Sequence, residues 1–296
     1  MKKKFNTKVI HSGHGPDKET GAVMPPIHLS STFKQMEPGN FEYEYARTKN
    51  PSRDVLEKLL AQIESGDKAF AFASGMSAIN TVCDLFGTNY HIVCSDDVYG
   101  GTRRLFDKVK SNIDVTYIDF DKNINWNDEI KENTKFIWIE TPSNPLMKII
   151  DIKNTVNIAS EFKLPVICDN TFASPYNQRP LELGADMVVS SSTKYLGGHS
   201  DIVGGSIVIK ENKEYAEKIS FIQNAVGAVP STFDCYLLTR SIKTLSVRMK
   251  QHNENAIAVS NYLSNHPKIE KVFFPGTDKR HKEIAEKQMD GFGGMM

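Results

Sequence analysis

Two hydrophobic periods alternate along most of this chain. Short apolar runs rich in β-branched and aromatic residues occur at Lys68–Ala73, His91–Cys94, Val115–Phe120, Lys135–Glu140, Pro165–Cys168, Asp186–Ser190 and Gly205–Ile209. Their length and composition predict strands. Between several of them the period becomes helical. Ile152, Val156, Ala159 and Phe162 share one face of Asp151–Phe162, and Leu56, Leu59, Leu60 and Ile63 share one after Pro51-Ser52, a proline suited to a first helical turn. Strand–helix alternation with nearly continuous apolar strands predicts an α/β fold, a mainly parallel, doubly wound sheet covered on both faces.

The two ends read differently. Residues 1–50 are rich in Gly, Pro, Ser, Thr and Asn without sustained periodicity, which predicts an extended arm instead of a packed layer. An amphipathic stretch from Phe233 to Asn265 predicts one long helix leaving the sheet unit, and Ile269–Phe274 predicts a strand that opens a second domain. The expected organisation is an arm over 1–50, a sheet unit over 51–248, and from 249 to 296 the start of a C-terminal domain. A length of 296 residues fits about two domains.

Composition narrows the function classes. Thirty-six Lys and Arg balance thirty-six Asp and Glu, so nothing suggests a nucleic-acid or anionic-membrane partner. The basic start Met1-Lys2-Lys3-Lys4-Phe5 leads into polar Asn6-Thr7-Lys8, not an apolar signal core, and no run has the length of a membrane span. A cytoplasmic protein is expected. The four cysteines, Cys83, Cys94, Cys168 and Cys235, lie far apart, as buried thiols of a reducing compartment would. The histidines show no pair at metal-ligand spacing, so no metal site is expected.

Ligands of such sheets bind beyond the carboxyl ends of the strands, and Ser74, Tyr99, Asn144, Asp169 and Lys194 all follow apolar runs. The densest signal is Ser190-Ser191-Ser192-Thr193-Lys194-Tyr195-Leu196-Gly197-Gly198, a lysine among hydroxyls and before a glycine pair. An ammonium ending a buried strand loses hydration, which makes sense if Lys194 is joined to an aldehyde cofactor. Pyridoxal phosphate requires such a lysine, ligands for its phosphate and a carboxylate for its ring nitrogen. Asp169, ending Val166-Ile167-Cys168-Asp169, supplies the carboxylate, its alternative being a cap of the next turn. Ser74-Gly75-Met76 before an apolar helix reads as a phosphate cradle or as a plain strand–helix turn.

These strings resemble the Cys/Met-metabolism family of pyridoxal-phosphate enzymes, from about His11 to Met296. The resemblance implies an aspartate-aminotransferase-like (fold type I) architecture, with most of the C-terminal α+β domain lacking here. It implies that Lys194 holds the cofactor and moves protons, that Asp169 keeps the ring nitrogen protonated, and that Gly75 and Met76 N–H groups with the Ser191 and Thr193 hydroxyls bind the phosphate. Tyr99, in Asp97-Val98-Tyr99-Gly100-Gly101-Thr102, is similar to the ring that stacks on the pyridine and helps protonate the leaving group; a core tyrosine is the alternative. Tyr45-Ala46-Arg47-Thr48-Lys49-Asn50-Pro51 resembles the string whose tyrosine and arginine reach a neighbouring subunit's phosphate, implying a homo-oligomer, a dimer of dimers with shared sites. Asn144, in Glu140-Thr141-Pro142-Ser143-Asn144-Pro145, is expected at the cofactor's 3′-oxygen or the substrate carboxylate.

Gly101 stands where methionine γ-lyases carry cysteine, and Arg104 matches an arginine of γ-synthase and γ-lyase relatives that suits a distal carboxylate. The expectation is a carbon–sulfur lyase of trans-sulfuration that cleaves cystathionine by γ-elimination. γ-Replacement of an O-acylated homoserine by cysteine is the alternative, and a cofactor-binding chain with little turnover is a third.

Overall fold

All seven expected strands form, and they hydrogen-bond into one sheet. The structure is a computed structural model describing residues 4–296, so the basic start at 1–3 lies outside the described residues. In chain order the elements are α1 (Phe5–His11), α2 (Pro51–Ile63), β1 (Lys68–Phe72), α3 (Gly75–Leu85), β2 (Tyr90–Ser95), α4 (Gly100–Arg104), β3 (Ile113–Ile118), α5 (Trp126–Glu129) and β4 (Thr134–Glu140). They continue as α6 (Ile152–Glu161), β5 (Val166–Asp169), α7 (Ser174–Asn177), β6 (Met187–Ser190), β7 (Gly205–Ile209), α8 (Lys213–Val226), α9 (Thr232–Ile242), α10 (Leu245–Ser264) and α11 (Lys279–Gln288).

The strand order is β1-β7-β6-β5-β4-β2-β3. The pairs among β3, β2, β4, β5 and β6 are parallel, while β7 runs antiparallel between β6 and β1. Alternate side chains point to opposite faces, and both faces are covered. In β1, Phe70 and Phe72 join the cluster containing Ala78 and Val82 of α3, whereas Ala69 and Ala71 join that of Leu56 and Leu60 of α2. On β4, Ile137 and Ile139 pack with Ile152 and Ala159 of α6 on one side, and Trp138 lies on the other. The carboxyl ends of β4, β5 and β6 therefore open side by side, with Glu140 in register with Asp169.

Three expectations are corrected. The arm begins with a helix: α1 buries Val9 to 1% exposure against Leu56 and Leu59, and seven residues are too few to display a period. Between residues 12 and 50 only isolated bridges occur, Thr32 with Tyr45 and Glu37 with Asn40. The long helix from Phe233 to Asn265 is instead two, α9 and α10. At the break, the Ser241 carbonyl accepts from the Thr244 N–H at 3.1 Å, the Thr244 hydroxyl at 3.0 Å and an Arg248 guanidinium nitrogen at 3.1 Å, a local competition that tightens the turn. The strand expected at Ile269–Phe274 does not form: among the described residues no strand pairs with it, and an unpaired strand has no ladder to satisfy its backbone. From 265 on, the chain returns to the sheet unit, where Ala285 and Met289 pack on Ile149 and Ala173.

Helix α2 is fixed at its start by Asn50, 2% exposed. Its Oδ1 accepts from the Ser52 and Arg53 N–H groups at 2.9 and 3.3 Å, and its Nδ2 donates to the His28 carbonyl at 3.0 Å. Asn50→Ala is expected to cost about 1–2 kcal/mol of stability in urea unfolding and to expose the chain near His28 to faster proteolysis.

Candidate active site

Helix α3 starts where β1 ends, and its first turn is closed reciprocally. Ser74 Oγ accepts from the Ser77 N–H at 3.0 Å, and Ser77 Oγ accepts from the Ser74 N–H at 3.0 Å. Gly75 and Met76, at the helix start, have no intrahelical carbonyl to donate to. The turn after β6 lies directly over them. A Cβ at Gly75 would stand 2.8 Å from the Ser191 Cβ and 3.1 Å from its Oγ, so only glycine allows this approach.

Thr171 ties that turn to Asp169. Its N–H donates to Asp169 Oδ1 at 3.0 Å, and its Oγ1 accepts from the Ser191 N–H at 2.9 Å. Asp169 ends β5 at 6% exposure, and burial pushes its carboxyl above the usual range, offset only in part by Thr171. Beside it Glu140, 5% exposed, is pushed well above its range by burial and then by the Asp169 charge. Glu140 Oε2 accepts from the Tyr99 N–H at 2.8 Å, which anchors the start of α4. The Tyr99 ring then turns back over Gly101, where a Cβ would meet it at 2.3 Å and Met76 Sδ at 3.0 Å. Tyr99 is 46% exposed, so it is a rim group and not a core tyrosine.

Lys194 departs from its expected place. The strand ends at Ser190, and Lys194 lies four residues on, in a turn, and is exposed. The turn closes through Lys194 N–H to Ser191 O at 3.2 Å and Gly198 N–H to Lys194 O at 2.7 Å. Thr193 Oγ1 donates to the Gly204 carbonyl at 3.2 Å and accepts from its N–H at 3.0 Å, linking the lysine turn to β7. Ser192 Oγ is buried without a hydrogen-bond partner.

Other expected residues stand apart from this cluster. Arg47 Nη1 donates to Asn224 Oδ1 of α8 at 2.9 Å and its guanidinium lies 5.4 Å from the Tyr45 ring centroid, so within one chain Arg47 is docked on α8. Asn144 is half-buried in the loop after β4, which Asp97 Oδ2 holds by accepting from the Ser143 hydroxyl and the Leu146 N–H. Arg104 is exposed at the end of α4; among the described residues it forms no ion pair, whereas Arg103 lies over the Tyr117 ring at 4.1 Å.

Sequence reasoning missed Thr171, Glu140 and Arg53. The last is 3% exposed and donates to the carbonyls of Ala46, Arg47 and Thr48 at 2.8, 3.1 and 2.8 Å, fixing the turn that carries Tyr45 and Arg47. The one available signal was for Glu140, a carboxylate ending an apolar strand as Asp169 does.

The donor set fits pyridoxal phosphate. A helix start whose first N–H groups lack intrahelical acceptors, beside hydroxyls, suits a dianionic phosphate, a buried carboxylate facing no side-chain cation suits a protonated ring nitrogen, and an exposed amine is available to the aldehyde. Fold and site together define a pyridoxal-phosphate enzyme of the aspartate-aminotransferase-like class. The sequence model of the Cys/Met metabolism PLP-dependent enzyme family matches residues 6–296, and the chain belongs to that family. It is 45% identical to a cystathionine beta-lyase of Coxiella burnetii, with 100% of this chain aligned to 78% of that one. It is 47% identical to a cystathionine gamma-synthase of Mycobacterium leprae, over 98% of this chain and 76% of the other. The crystal structure of a cystathionine gamma-lyase from Lactobacillus plantarum, complexed with L-serine, superposes with a TM-score of 0.95 at 45% identity, over 99% and 77% of the two chains. Pyridoxal phosphate is the cofactor, and the chemistry is that of the trans-sulfuration enzymes.

Behind Asp169, the fully buried Asn170 donates from Nδ2 to the Gln178 carbonyl at 2.8 Å and to Glu64 Oε2 at 3.5 Å. Burial raises the Glu64 carboxyl from 4.5 to about 8. Between those values the folded chain holds a proton that the unfolded chain releases, so Glu64 makes stability fall as pH rises from 4.5 to 8. Glu64→Gln is expected to flatten that part of the urea-stability profile; an unchanged slope would show that Glu64 is ionised in the fold.

Proposed function

We propose that this chain cleaves cystathionine by γ-elimination, giving cysteine, 2-oxobutanoate and ammonia, with γ-replacement on an O-acylated homoserine as the second reading. Bound pyridoxal phosphate supplies an electron sink that acidifies the Cα–H of an attached amino acid. In this reading the α3 N–H groups of Gly75 and Met76, with Ser191 and Thr193, bind the phosphate. Asp169 keeps the ring nitrogen protonated, at less cost than burying an uncompensated carboxylate. Lys194 Nζ holds the aldehyde end, then takes the Cα proton and carries protons along the substrate chain. The half-exposed Tyr99 ring would stack on the bound cofactor, and its hydroxyl would give a proton to the departing sulfur. Asn144 orients the substrate carboxylate or the 3′-oxygen. Tyr45 and Arg47 complete the phosphate site of a neighbouring copy in a dimer of dimers, and the division at residues 50 and 248 belongs to the same reading.

The observation that carries the choice of substrate is the arrangement of α4. The Tyr99 ring fills the space over Gly101, so position 101 presents no side chain to the substrate, while Arg104 at the end of the same helix is exposed. Cystathionine carries a second carboxylate beyond its sulfur, which a guanidinium can bind bidentately. The second reading is favoured by the gamma-synthase of Mycobacterium leprae, as similar to this chain as the lyases are.

Product analysis with pyridoxal phosphate tests this. Cystathionine alone is expected to release 2-oxobutanoate and cysteine, and Lys194→Ala to slow that release by about 10²–10⁴-fold. Pyruvate and homocysteine as products would make the reaction a β-elimination instead. Cystathionine accumulating from O-acylhomoserine and cysteine, with negligible cleavage, would establish the replacement.

A further inference from the structure

Lys194 is exposed at a turn whose flanking Ser192 and Leu196 are buried, so its presentation depends on what holds that turn. The residue that does so lies on α10. Arg248 Nη1 donates to the Tyr195 carbonyl at 2.7 Å, and Nη2 donates to the Leu196 carbonyl at 3.5 Å and to the Ser241 carbonyl at 3.1 Å. Its Nε donates to Thr244 Oγ1 at 3.0 Å. Every acceptor is a neutral oxygen. Among the described residues no carboxylate pairs with this guanidinium. An arginine usually finds a carboxylate; here the planar fork spans two backbone segments, the two residues after Lys194 and the end of α9.

The turn is shaped to receive it. Gly198 has φ +66°, and a Cβ there would stand 2.0 Å from Arg248 Nη1. Gly198 N–H in turn donates to the Lys194 carbonyl at 2.7 Å, so the guanidinium, the glycine and the lysine backbone form one contact chain. Tyr195 is also held by its hydroxyl, which accepts from the Gly294 N–H at 3.1 Å, and its ring packs on His252, one turn along α10 from Arg248.

We propose that Arg248 is a positioning residue for Lys194: by binding the carbonyls of Tyr195 and Leu196 it fixes the turn that aims the Lys194 amine at the cofactor aldehyde. This rests on the reading of Lys194 as the lysine that holds the cofactor. The guanidinium bonds the Tyr195, Leu196 and Ser241 carbonyls and the Thr244 hydroxyl, so it reaches Lys194 through the backbone.

The test uses the full chain stripped of cofactor and then given pyridoxal phosphate, with the visible absorbance of the lysine-bound cofactor followed in time. Arg248→Ala is expected to slow that uptake about tenfold and to lower kcat by a similar factor with little change in KM, since a misaimed amine reacts slowly once substrate is bound. Arg248→Lys, which can reach one carbonyl but not both segments, is expected to fall between, and added guanidinium ion to restore part of the Arg248→Ala rate. Asn212→Ala, which removes the remote cap of α8, serves as the control for lost stability. Wild-type uptake and kcat in Arg248→Ala, with only a lowered Tm like that of Asn212→Ala, would overturn the proposal. If Arg248→Ala does not fold, wild-type uptake by Arg248→Lys overturns it equally. Lys194→Ala separates the two levels: if it still develops the same absorbance at the wild-type rate, the reading of Lys194 fails, whatever Arg248 does.

Discussion

The site depends on one close approach, the backbone of Gly75 against Ser191. These residues follow strands that are not neighbours, β1 and β6, with the antiparallel β7 between them. The gap is bridged because Gly205, at the start of β7, also lacks a side chain: a Cβ there would meet the Ser74 carbonyl at 2.2 Å. Two glycines thus let a helix N-terminus lie against the turn after β6, and that turn carries the hydroxyls and Lys194. A methyl group at either place pushes the start of α3 away from the turn that carries Lys194. Thr171 then links the assembly to β5, because one residue bonds both the Asp169 carboxylate and the Ser191 N–H.

Burial of two adjacent carboxyls gives this arrangement its chemical bias. Asp169 and Glu140 end neighbouring strands, both nearly inaccessible, and each is raised by lost hydration. Two charges so placed oppose one another, and a proton on one relieves both. Glu140 is already engaged by the Tyr99 N–H, whereas Asp169 has only Thr171. The cation that Asp169 lacks is the one a protonated pyridine nitrogen provides. In the proposed reading of Asp169, cofactor binding and relief of buried charge are the same event, and the position of Tyr99 is coupled to it through Glu140.

The sheet was legible in the sequence because both of its faces are buried. β-Branched runs such as Ile137-Trp138-Ile139 and Met187-Val188-Val189 have no polar alternation to confuse with a helix, and every strand fell within a few residues of its expected bounds. The proposed motif residues stood out for a different reason: an aspartate and Ser-Gly-Met follow apolar strands, and a lysine lies among hydroxyls before a glycine pair. What escaped was decided by tertiary contact. Helix α1 is stabilised by packing on α2, not by its own seven residues. The break between α9 and α10 is set by competition for the single carbonyl of Ser241. The apolar pattern at Ile269–Phe274 describes a segment suited to a strand, but a strand exists only with a partner.

The supports of the site were the least legible part, and two arginines show why. Arg53 binds the carbonyls of Ala46, Arg47 and Thr48, and Arg248 those of Tyr195, Leu196 and Ser241. Each uses a guanidinium to fix a turn that carries a proposed functional residue. Backbone carbonyls are present at every position, so an arginine that recognises them leaves no complementary residue to find along the chain. A lysine in either place would satisfy fewer acceptors, because its ammonium lacks the rigid fork that spans separate segments. The motif thus names the proposed reacting groups, while the turns that carry them are held by side chains whose partners have no sequence identity. The two turns differ in burial: Tyr45, Arg47 and Thr48 are exposed, whereas Lys194 is exposed between the buried Ser192 and Leu196, so its arginine works at the boundary of the core.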